Sequence, residues 1–365
     1  MAFRYRADHV GSLLRPKEIL EARANPAVTP QQLKEIEDRQ IRRILERQRD
    51  AGFKIFTDGE LRRRGFMSDF HESVSGLDRG EQVARVWSGS AAPLGSLAGV
   101  VTSKIRQSRR LAKHELDFLK QFSPGDIKMT LPTANQFPAI AYKKGISEKA
   151  YPTRSAFLWD IVPIIRSEIQ ALVKEGVKYV QVDAPRYSYY IDPKWRQYVR
   201  SEMGVDPDEA LDEAIRVDNA CLEGARKKGV TLAMHLCRGN NRSQWYAEGG
   251  YDPIAEKLFN QLNVDAFLLE YESERAGTFD PLRFVPRGKV VVLGLVSSKL
   301  PEMEPQDQLL RRIEDASRYV PIENLALSPQ CGFASAMEGN LLSEEQQWRK
   351  LQLVVDTARR VWKDA

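Results

Sequence analysis

The chain has 365 residues and a formal net charge of +5, and 42% of its residues are hydrophobic and 29% charged. These values are typical of a globular protein and allow one large domain or two smaller ones. The basic residues are dispersed rather than gathered into a stripe with aromatic residues, which argues against nucleic-acid binding. No apolar run reaches the roughly 18 residues of a membrane span, so no membrane association is predicted.

The chain contains three cysteines, Cys221, Cys237 and Cys331, which are widely separated. Their odd number and wide spacing argue against a disulfide framework and favour a reducing compartment. The first sixteen residues also lack the apolar segment of a secretory signal. We therefore predict a cytoplasmic protein. Cys221 falls on the apolar side of a helical pattern, so we expect it to lie in the core.

Short β-rich runs alternate with amphipathic helical stretches along the whole chain. Eight such runs can be recognised: Asp8–Ser12, Phe53–Glu60, Ile127–Pro132, Val177–Pro185, Val230–Cys237, Val264–Glu270, Lys289–Val296 and Asn324–Gly332. Strands that alternate with helices are joined in parallel by helical crossovers. Eight units in this length predict a (β/α)₈ TIM barrel, with residues 1–365 forming a single domain.

Two features qualify the barrel prediction. A doubly wound open sheet is the rival fold, but it would normally carry a glycine-rich phosphate turn, and neither a G-x-G-x-x-G nor a P-loop pattern is present. Residues 78–110 interrupt the strand–helix rhythm. We predict that they form an inserted β-hairpin, or lid, near the barrel mouth.

Charged and metal-liganding side chains stand at the ends of several predicted strands. They are Asp58, Glu60, Asp183, His235, Cys237, Glu270 and Cys331. In a TIM barrel the active site is built at the C-terminal ends of the strands. These side chains, far apart in the sequence, should therefore converge on one cavity.

Four of these residues form a possible metal site. His235, Cys237, Glu270 and Cys331 would supply one nitrogen, two sulfurs and one oxygen, a set that suits tetrahedral Zn²⁺. The H-x-C spacing places His235 and Cys237 on the same face of a strand end, because strand side chains alternate. Each residue alone also has an ordinary structural explanation, such as a buried thiol or a helix cap. Zinc is therefore predicted from the four residues taken together.

The motifs IFTDGE, VQVDAP, MHLC, FLLE and LSPQCG follow one another along the chain. In this order they resemble the C-terminal catalytic barrel of the cobalamin-independent methionine synthase family. The resemblance covers nearly the whole chain, which lacks the family's large N-terminal barrel and is similar to its short, single-barrel members. It implies a zinc-dependent methyltransferase that methylates the thiol of homocysteine or a related compound.

The resemblance also assigns roles to individual residues. It implies that zinc is held by His235, Cys237, Glu270 and Cys331. It implies that Glu60 and Asp183 bind the amino group of the thiol substrate. The segment from Val10 to Ser12 would cradle the substrate carboxylate.

The methyl donor is less well specified by the sequence. A zinc-bound thiolate can attack an alkyl carbon, which indicates S-alkylation. Methyltetrahydrofolate would need a general acid, and the family histidine near the seventh strand is absent from Gly294–Pro305. Lys299 stands at about that position as a possible acid, and a partner protein that delivers the methyl group is the other possibility. One of Arg62, Arg63 and Arg64 should face the mouth and favour an anionic ligand.

Three alternatives stay open at this point. The first is another zinc-dependent thiol alkyltransferase of the epoxyalkane:coenzyme M type, which would need less acid assistance. The second is a non-catalytic homologue that binds zinc or thiols. The third is a decarboxylase-like barrel without zinc, against which Cys237 and Cys331 argue. A homo-oligomer is also compatible with the sequence.

Overall fold

A computed structural model of the protein describes residues 3–85, 87–88, 94–95 and 98–365. The strands, β1 to β11 in chain order, are Ile55–Phe56, Val74–Asp78, Ala84–Arg85, Leu94–Gly95, Val100–Gln107, Asp126–Pro132, Tyr179–Asp183, Thr231–Leu236, Ala266–Glu270, Val290–Val296 and Leu325–Pro329. The α-helices, α1 to α11, are Lys17–Ala24, Pro30–Ala51, Ser68–Ser73, Lys113–Phe122, Pro138–Ala141, Arg154–Lys174, Pro193–Ser201, Pro207–Leu222, Ala255–Gln261, Gln306–Ser317 and Glu344–Val361.

Seven of the strands form one parallel sheet, in the order β1-β6-β7-β8-β9-β10-β11. α-Helices lie between most successive strands of this sheet, as is usual for parallel connections, whereas β9 and β10 are joined through the 3₁₀ segments Glu274–Ala276 and Asp280–Phe284. The sheet curls into a half-barrel, and the fold is TIM-barrel-like. The predicted α/β barrel is confirmed, and each of these seven strands falls within one residue of a predicted run.

The first predicted run, Asp8–Ser12, behaves differently from the others. The chain forms an isolated parallel bridge between Ala7 and Leu327 in place of a full strand. Asp8 N–H donates to Leu327 O at 2.9 Å, and on the other side Leu13 N–H donates to Gly59 O at 2.9 Å. The N-terminal segment therefore spans the gap between the last and first strands of the sheet.

Alternation along the strands produces two layers of core. Ala233 in β8 and Ala266 and Leu268 in β9 belong to a small apolar cluster inside the barrel. Phe267 and Leu269, on the opposite face of β9, belong to the larger core shared with the helices. Because strand side chains alternate, His235 and Glu270 continue the inward-facing rows.

Helix ends in the outer layer follow ordinary capping chemistry. Helix α2 begins after Thr29, whose side chain and that of Gln32 form a capping box. The helix ends at Gly52, which has a φ of 102° and supplies the left-handed cap. In the described part of the chain, no helix is long and apolar enough to cross a membrane.

Two short antiparallel pairs lie in and beside the predicted insertion at residues 78–110. Strand β2 pairs with β5, and β3 pairs with β4. Residues 86, 89–93 and 96–97 of this prediction lie outside the described residues. Trp87 packs edge-on against Tyr246, with ring centroids 5.2 Å apart, and so reaches the loop after β8. A lid function for this segment stays a prediction.

Candidate metal and thiol site

Two cysteines and a histidine meet at the C-terminal end of the sheet. The Sγ atoms of Cys237 and Cys331 are 3.6 Å apart. A ring nitrogen of His235 and both sulfurs lie within 4.8 Å of one another, and all three residues are buried. The cysteines are free thiols. The contact with Cys331 and burial together raise the pKa of the Cys237 thiol well above its ordinary value.

Several polar atoms around these sulfurs are buried without a hydrogen-bond partner. They include both ring nitrogens of His235 and Oε1 of Glu270. Burying an unpaired polar group typically costs about 1 to 3 kcal/mol. Unpaired atoms gathered at one place therefore indicate a binding site, for example for an ion. An imidazole, two thiols and a carboxylate are the donor types that zinc prefers. The residues present therefore fit a zinc ion.

Glu270 stands slightly apart from the other three residues. Its Oε2 accepts a hydrogen bond from Arg238 N–H at 3.1 Å and lies 3.5 Å from Arg275 Nη1. These contacts orient the carboxylate and leave Oε1 unpaired. Such outer contacts commonly fix the orientation of metal-binding side chains.

A buried carboxylate, Glu60, also lines this cavity. Its Oε1 accepts from Thr130 Oγ1 at 2.8 Å, whereas its Oε2 has no partner. Burial raises the pKa of Glu60. Its φ of 56° is unusual for a residue with a side chain, and strained backbone of this kind clusters at functional sites. Asp58 Oδ1 accepts from Glu60 N–H at 2.9 Å and supports this conformation.

A second buried carboxylate, Asp183, stands at the end of β7. Its Oδ1 accepts from Gln181 Nε2 at 2.8 Å. Burial raises its pKa as well, and the charges of Glu60 and Asp183 act on each other. Two buried carboxylates that repel each other are stabilised by nearby cations. Arg63 Nη1 lies 3.8 Å from Glu60 Oε1, and a bound ammonium group would add a second cation to this pair.

The segment from Val10 to Ser12 closes the same end of the cavity. Val10 O accepts from Gln181 Nε2 at 2.5 Å, and Ser12 Oγ accepts from Ala334 N–H at 3.3 Å. Gly11 between them has a φ of 137°, and a Cβ atom there would lie 2.7 Å from Glu60 Oε1. A glycine is therefore required for the segment to pass this close to the carboxylate.

These groups line one cavity of about 420 Å³. Among the predicted site residues, its lining contains Val10, Ser12, Glu60, Asp183, His235, Cys237 and Cys331. Other described residues of the lining include Phe66, Met67, His71, Trp87, Arg186, Asn240 and Tyr246. The thiols, the carboxylates and an apolar wall thus share one space, large enough for more than one small substrate.

Comparison with known proteins identifies the family. Residues 10–360 match the model of the "Cobalamin-independent synthase, Catalytic domain". The chain belongs to this family. Its members are methyltransferases of the cobalamin-independent methionine synthase type.

Three relatives illustrate the match. The uncharacterized protein YxjH of Bacillus subtilis is 39% identical, over 98% of this chain and 95% of its own length. The methionine synthase of Pyrococcus abyssi is 24% identical, over 97% and 92%. The crystal structure of a putative vitamin-B12-independent methionine synthase from Listeria monocytogenes has a TM-score of 0.73 and 31% identity, over 99% of both chains. The family match spans the same residues as the barrel.

The family prediction from sequence is therefore confirmed, while the roles of single residues stay predictions. Glu270 and Lys299 are the two predicted site residues outside the described cavity lining. Glu270 is buried outside this lining. Its Oε2 contacts Arg275, and its Oε1 has no hydrogen-bond partner. It lies close enough for its charge to raise the pKa of Cys237.

Lys299 is buried, and its ammonium group contacts two residues of the cavity lining. Its Nζ donates to Gly239 O at 2.9 Å and to Asn240 Oδ1 at 3.0 Å. Asn240 lines the cavity and in turn donates to Gly332 O at 2.7 Å. These contacts support the loop after β8, and the role of Lys299 as a general acid stays a prediction.

The three consecutive arginines after Glu60 diverge. Arg62 pairs with Glu37 and Asp38, and Arg63 is buried against Glu115 and Asp69. Arg64 is in the cavity lining. The prediction that at least one would face the mouth fits the position of Arg64.

Sequence reasoning missed Arg186. It lies in the 3₁₀ helix Pro185–Tyr190, three residues after Asp183, and it lines the cavity. Its position just after a strand end was an available signal.

Proposed function

We propose that this protein is a zinc-dependent methyltransferase that transfers a methyl group to the sulfur of homocysteine or a closely related amino-acid thiol. The observation that carries this proposal is the single cavity that contains the Cys237–Cys331 pair with His235 at one part of its wall and Glu60 with Asp183 at another. A substrate with a thiol at one end and an ammonium group at the other would match both parts.

In this proposal the zinc ion is held by His235, Cys237, Glu270 and Cys331. When bound, zinc favours the thiolate form of a substrate sulfur at neutral pH and so supplies the nucleophile. The Gly239 N–H group donates to Cys237 Sγ at 3.1 Å and would stabilise negative charge on that sulfur.

The chain's own residues position the substrate. Glu60 and Asp183 are ionised when an ammonium group lies between them, because its charge offsets the burial that raises their pKa values. Each would accept a charge-assisted hydrogen bond from it. The segment from Val10 to Ser12, held by Gln181 and Ala334, would face the substrate carboxylate. Two anchored ends leave the sulfur with little freedom, which favours a productive approach of the methyl carbon.

The methyl donor in this proposal is methyltetrahydrofolate or a partner protein that delivers a methyl group. The cavity leaves room beside the amino acid, and its apolar wall contains Phe66, Met67, Trp87 and Tyr246. Flat donors are well suited to such surroundings. We propose that Lys299 also positions Asn240, which lines the cavity.

The paired carboxylates favour this function over the coenzyme M type. Coenzyme M carries a sulfonate and no ammonium group. A sulfonate next to Glu60 and Asp183 would add a third negative charge to a buried site, which is strongly unfavourable. An amino-acid thiol instead compensates the two existing charges.

The direct test is an assay of the zinc-loaded protein with homocysteine and either 5-methyltetrahydropteroylglutamate or methylcobalamin. We expect methionine, detected by mass spectrometry, with at least one donor. The variant Cys237→Ser should form none, whereas Cys221→Ser, altered in helix α8, should retain the activity. Equal methionine formation by wild type and Cys237→Ser would contradict the proposal.

A further inference from the structure

Arg186 is a buried cation with unused hydrogen-bonding capacity. Its side chain is 3% exposed, and its Nε and Nη1 atoms have no hydrogen-bond partner. The guanidinium carbon lies 4.8 Å from the ring centroid of Tyr189 and 5.3 Å from that of Tyr246. The guanidinium group therefore lies against two aromatic rings, while N–H groups on its Nε and Nη1 atoms stay available for a ligand.

The absence of an acidic partner distinguishes Arg186 from other buried arginines. Arg63 pairs with Asp69 and Glu115, and Arg238 lies 3.7 Å from Glu270. Within the described part of the chain, no carboxylate lies within ion-pair distance of Arg186. A buried charge without a counter-charge is costly, so its retention points to an external anion.

Arg186 also stands at a junction. A second cavity of about 420 Å³ lies beside the first, and Arg186 is the one described residue that belongs to both linings. The lining of the second cavity also contains Lys144 and Arg154, together with Glu148, Glu202 and Glu213. An elongated ligand in the first cavity could thus direct a charged end toward Arg186.

We propose that Arg186 binds an anionic group, a carboxylate, of the methyl donor and so determines which donors the enzyme accepts. This inference rests on the proposed function, because there the thiol substrate already uses Glu60, Asp183 and the Val10–Ser12 segment. The aromatic neighbours support a donor with a flat body. Tyr246 lies under the guanidinium group and packs against Trp87, so a conjugated ring system and a carboxylate would meet adjacent surfaces.

The test compares wild type with Arg186→Gln and Arg186→Lys, all loaded with zinc. Isothermal titration is performed with 5-methyltetrahydropteroylglutamate and with 5-methyltetrahydropteroate, which lacks the glutamate carboxylates. We expect Arg186→Gln to bind the first compound at least about tenfold more weakly, since two charge-assisted hydrogen bonds are lost. Arg186→Lys should be intermediate, and all three proteins should bind the second compound alike.

The matched control is Arg283→Gln, which removes a surface arginine that also lies over a ring, that of Phe284 at 4.4 Å. It should bind both compounds as wild type does. Circular dichroism checks that each variant is folded. If Arg186→Gln does not fold, the comparison of Arg186→Lys with wild type decides, because lysine keeps the charge but not the fork.

Three results would overturn the inference: equal affinity of wild type and Arg186→Gln for the glutamate-bearing donor, no binding of that donor by wild type, or a loss confined to homocysteine. The last is measured by titrating the Co²⁺-substituted variants with homocysteine, whose spectral response should be unchanged by Arg186→Gln. A failure of the proposed function is distinguishable, because homocysteine would then leave the Co²⁺ spectrum of every variant, including wild type, unaltered.

Discussion

The sulfur atoms of Cys237 and Cys331 lie 3.6 Å apart, although 94 positions separate the two residues in the chain. Strand β8 carries one cysteine just beyond its end, and the loop after β11 carries the other. Parallel strands that end at the same rim of a curled sheet bring such residues together. This contact of the two sulfur atoms, together with the carboxylates that line the same cavity, leads to testable expectations about zinc and substrate binding.

Replacing either of these cysteines should abolish stoichiometric zinc binding. Cys237→Ser removes a thiolate ligand, and we expect zinc affinity to fall by at least about 100-fold, more than the loss of an outer contact produces. Cys221→Ser is the matched control, because Cys221 is also buried but lies in helix α8. Zinc content after dialysis measures the effect, and full zinc content in Cys237→Ser would contradict the assignment.

Glu270 should contribute to metal binding more than its neighbour Glu272. Glu270→Gln replaces an anionic ligand by a neutral amide next to two arginines, so we expect weaker zinc binding and easier removal by a chelator. Glu272→Gln is the control, since the Glu272 side chain is only 7% exposed and contacts the same Arg275 but is not a predicted ligand. Competition with a chromogenic chelator measures both variants. Identical zinc release from the two would remove Glu270 from the ligand set.

The paired carboxylates should recognise the ammonium group of the substrate. We expect Glu60→Gln and Asp183→Asn each to raise the KM for homocysteine roughly 10- to 100-fold, because a charge-assisted hydrogen bond is weakened. The thiol 4-mercaptobutanoate, which lacks the amino group, should be affected little by either change. Steady-state kinetics with both thiols separate the contributions, and equal losses for the two thiols would argue against ammonium binding.

Asp58 should limit stability at high pH. Burial raises its pKa to about 7, and its Oδ2 has no partner. In the unfolded chain the group ionises near pH 4, so the folded state is progressively penalised as the pH rises from about 4 through 7. The Asp58→Asn variant avoids this penalty and can still accept from Glu60 N–H. Its Tm should exceed that of wild type increasingly from pH 5 to pH 8, by roughly 2 to 4 °C for each kcal/mol relieved.

The control for this pH dependence is Asp50→Asn, because the Asp50 side chain is 66% exposed. That variant should follow the wild-type Tm at each pH. A difference between Asp58→Asn and wild type that is constant over the whole range would show that ionisation of Asp58 is not its cause.

Arg63 should be essential for the stability of the wall that carries Glu60. Its guanidinium group donates to Glu115 Oε2 at 2.6 Å and to Thr130 O at 3.0 Å and lies 2.7 Å from Asp69 Oδ2. Its Nη1 also lies 3.8 Å from Glu60 Oε1, so Arg63→Met leaves three buried carboxylates without this cation, which should lower the free energy of unfolding by about 3 to 5 kcal/mol.

The comparison for Arg63 is the exposed pair of Arg49 and Asp50. Arg49→Met should cost less than about 1 kcal/mol, as surface ion pairs usually do. Chemical denaturation measures both variants. Similar losses for Arg63→Met and Arg49→Met would show that the buried cluster does not brace this wall.

Much of the fold could be predicted because the strands are short, apolar and regularly spaced. Val290–Val296, for example, is apolar throughout, as expected for a strand covered on both faces. The structure of the Asp8–Ser12 segment could not be predicted from such a pattern. Its closure of the sheet depends on a single bridge between Ala7 and Leu327 and on contacts with distant loops, which leave no periodic pattern.

Part of the site could be predicted because the ends of these regular strands can be located in the sequence. Residues at strand ends, such as Asp183 and His235, have positions fixed by strand alternation. Arg186 and Lys299 lie in irregular loops, where the direction of a side chain depends on tertiary contacts. Sequence position alone could not show that Lys299 donates to Gly239 O or that Arg186 lines the cavity.

The central claim, that these residues form a metal site for a thiol substrate, is tested most directly with cobalt. The protein is loaded with Co²⁺ in place of zinc, and its visible and near-ultraviolet spectrum is recorded during titration with homocysteine and, separately, with coenzyme M. We predict sulfur-to-cobalt charge-transfer bands from Cys237 and Cys331 and a further saturable increase with homocysteine at low concentration. A spectrum without thiolate character, or a response to coenzyme M and not to homocysteine, would contradict the account.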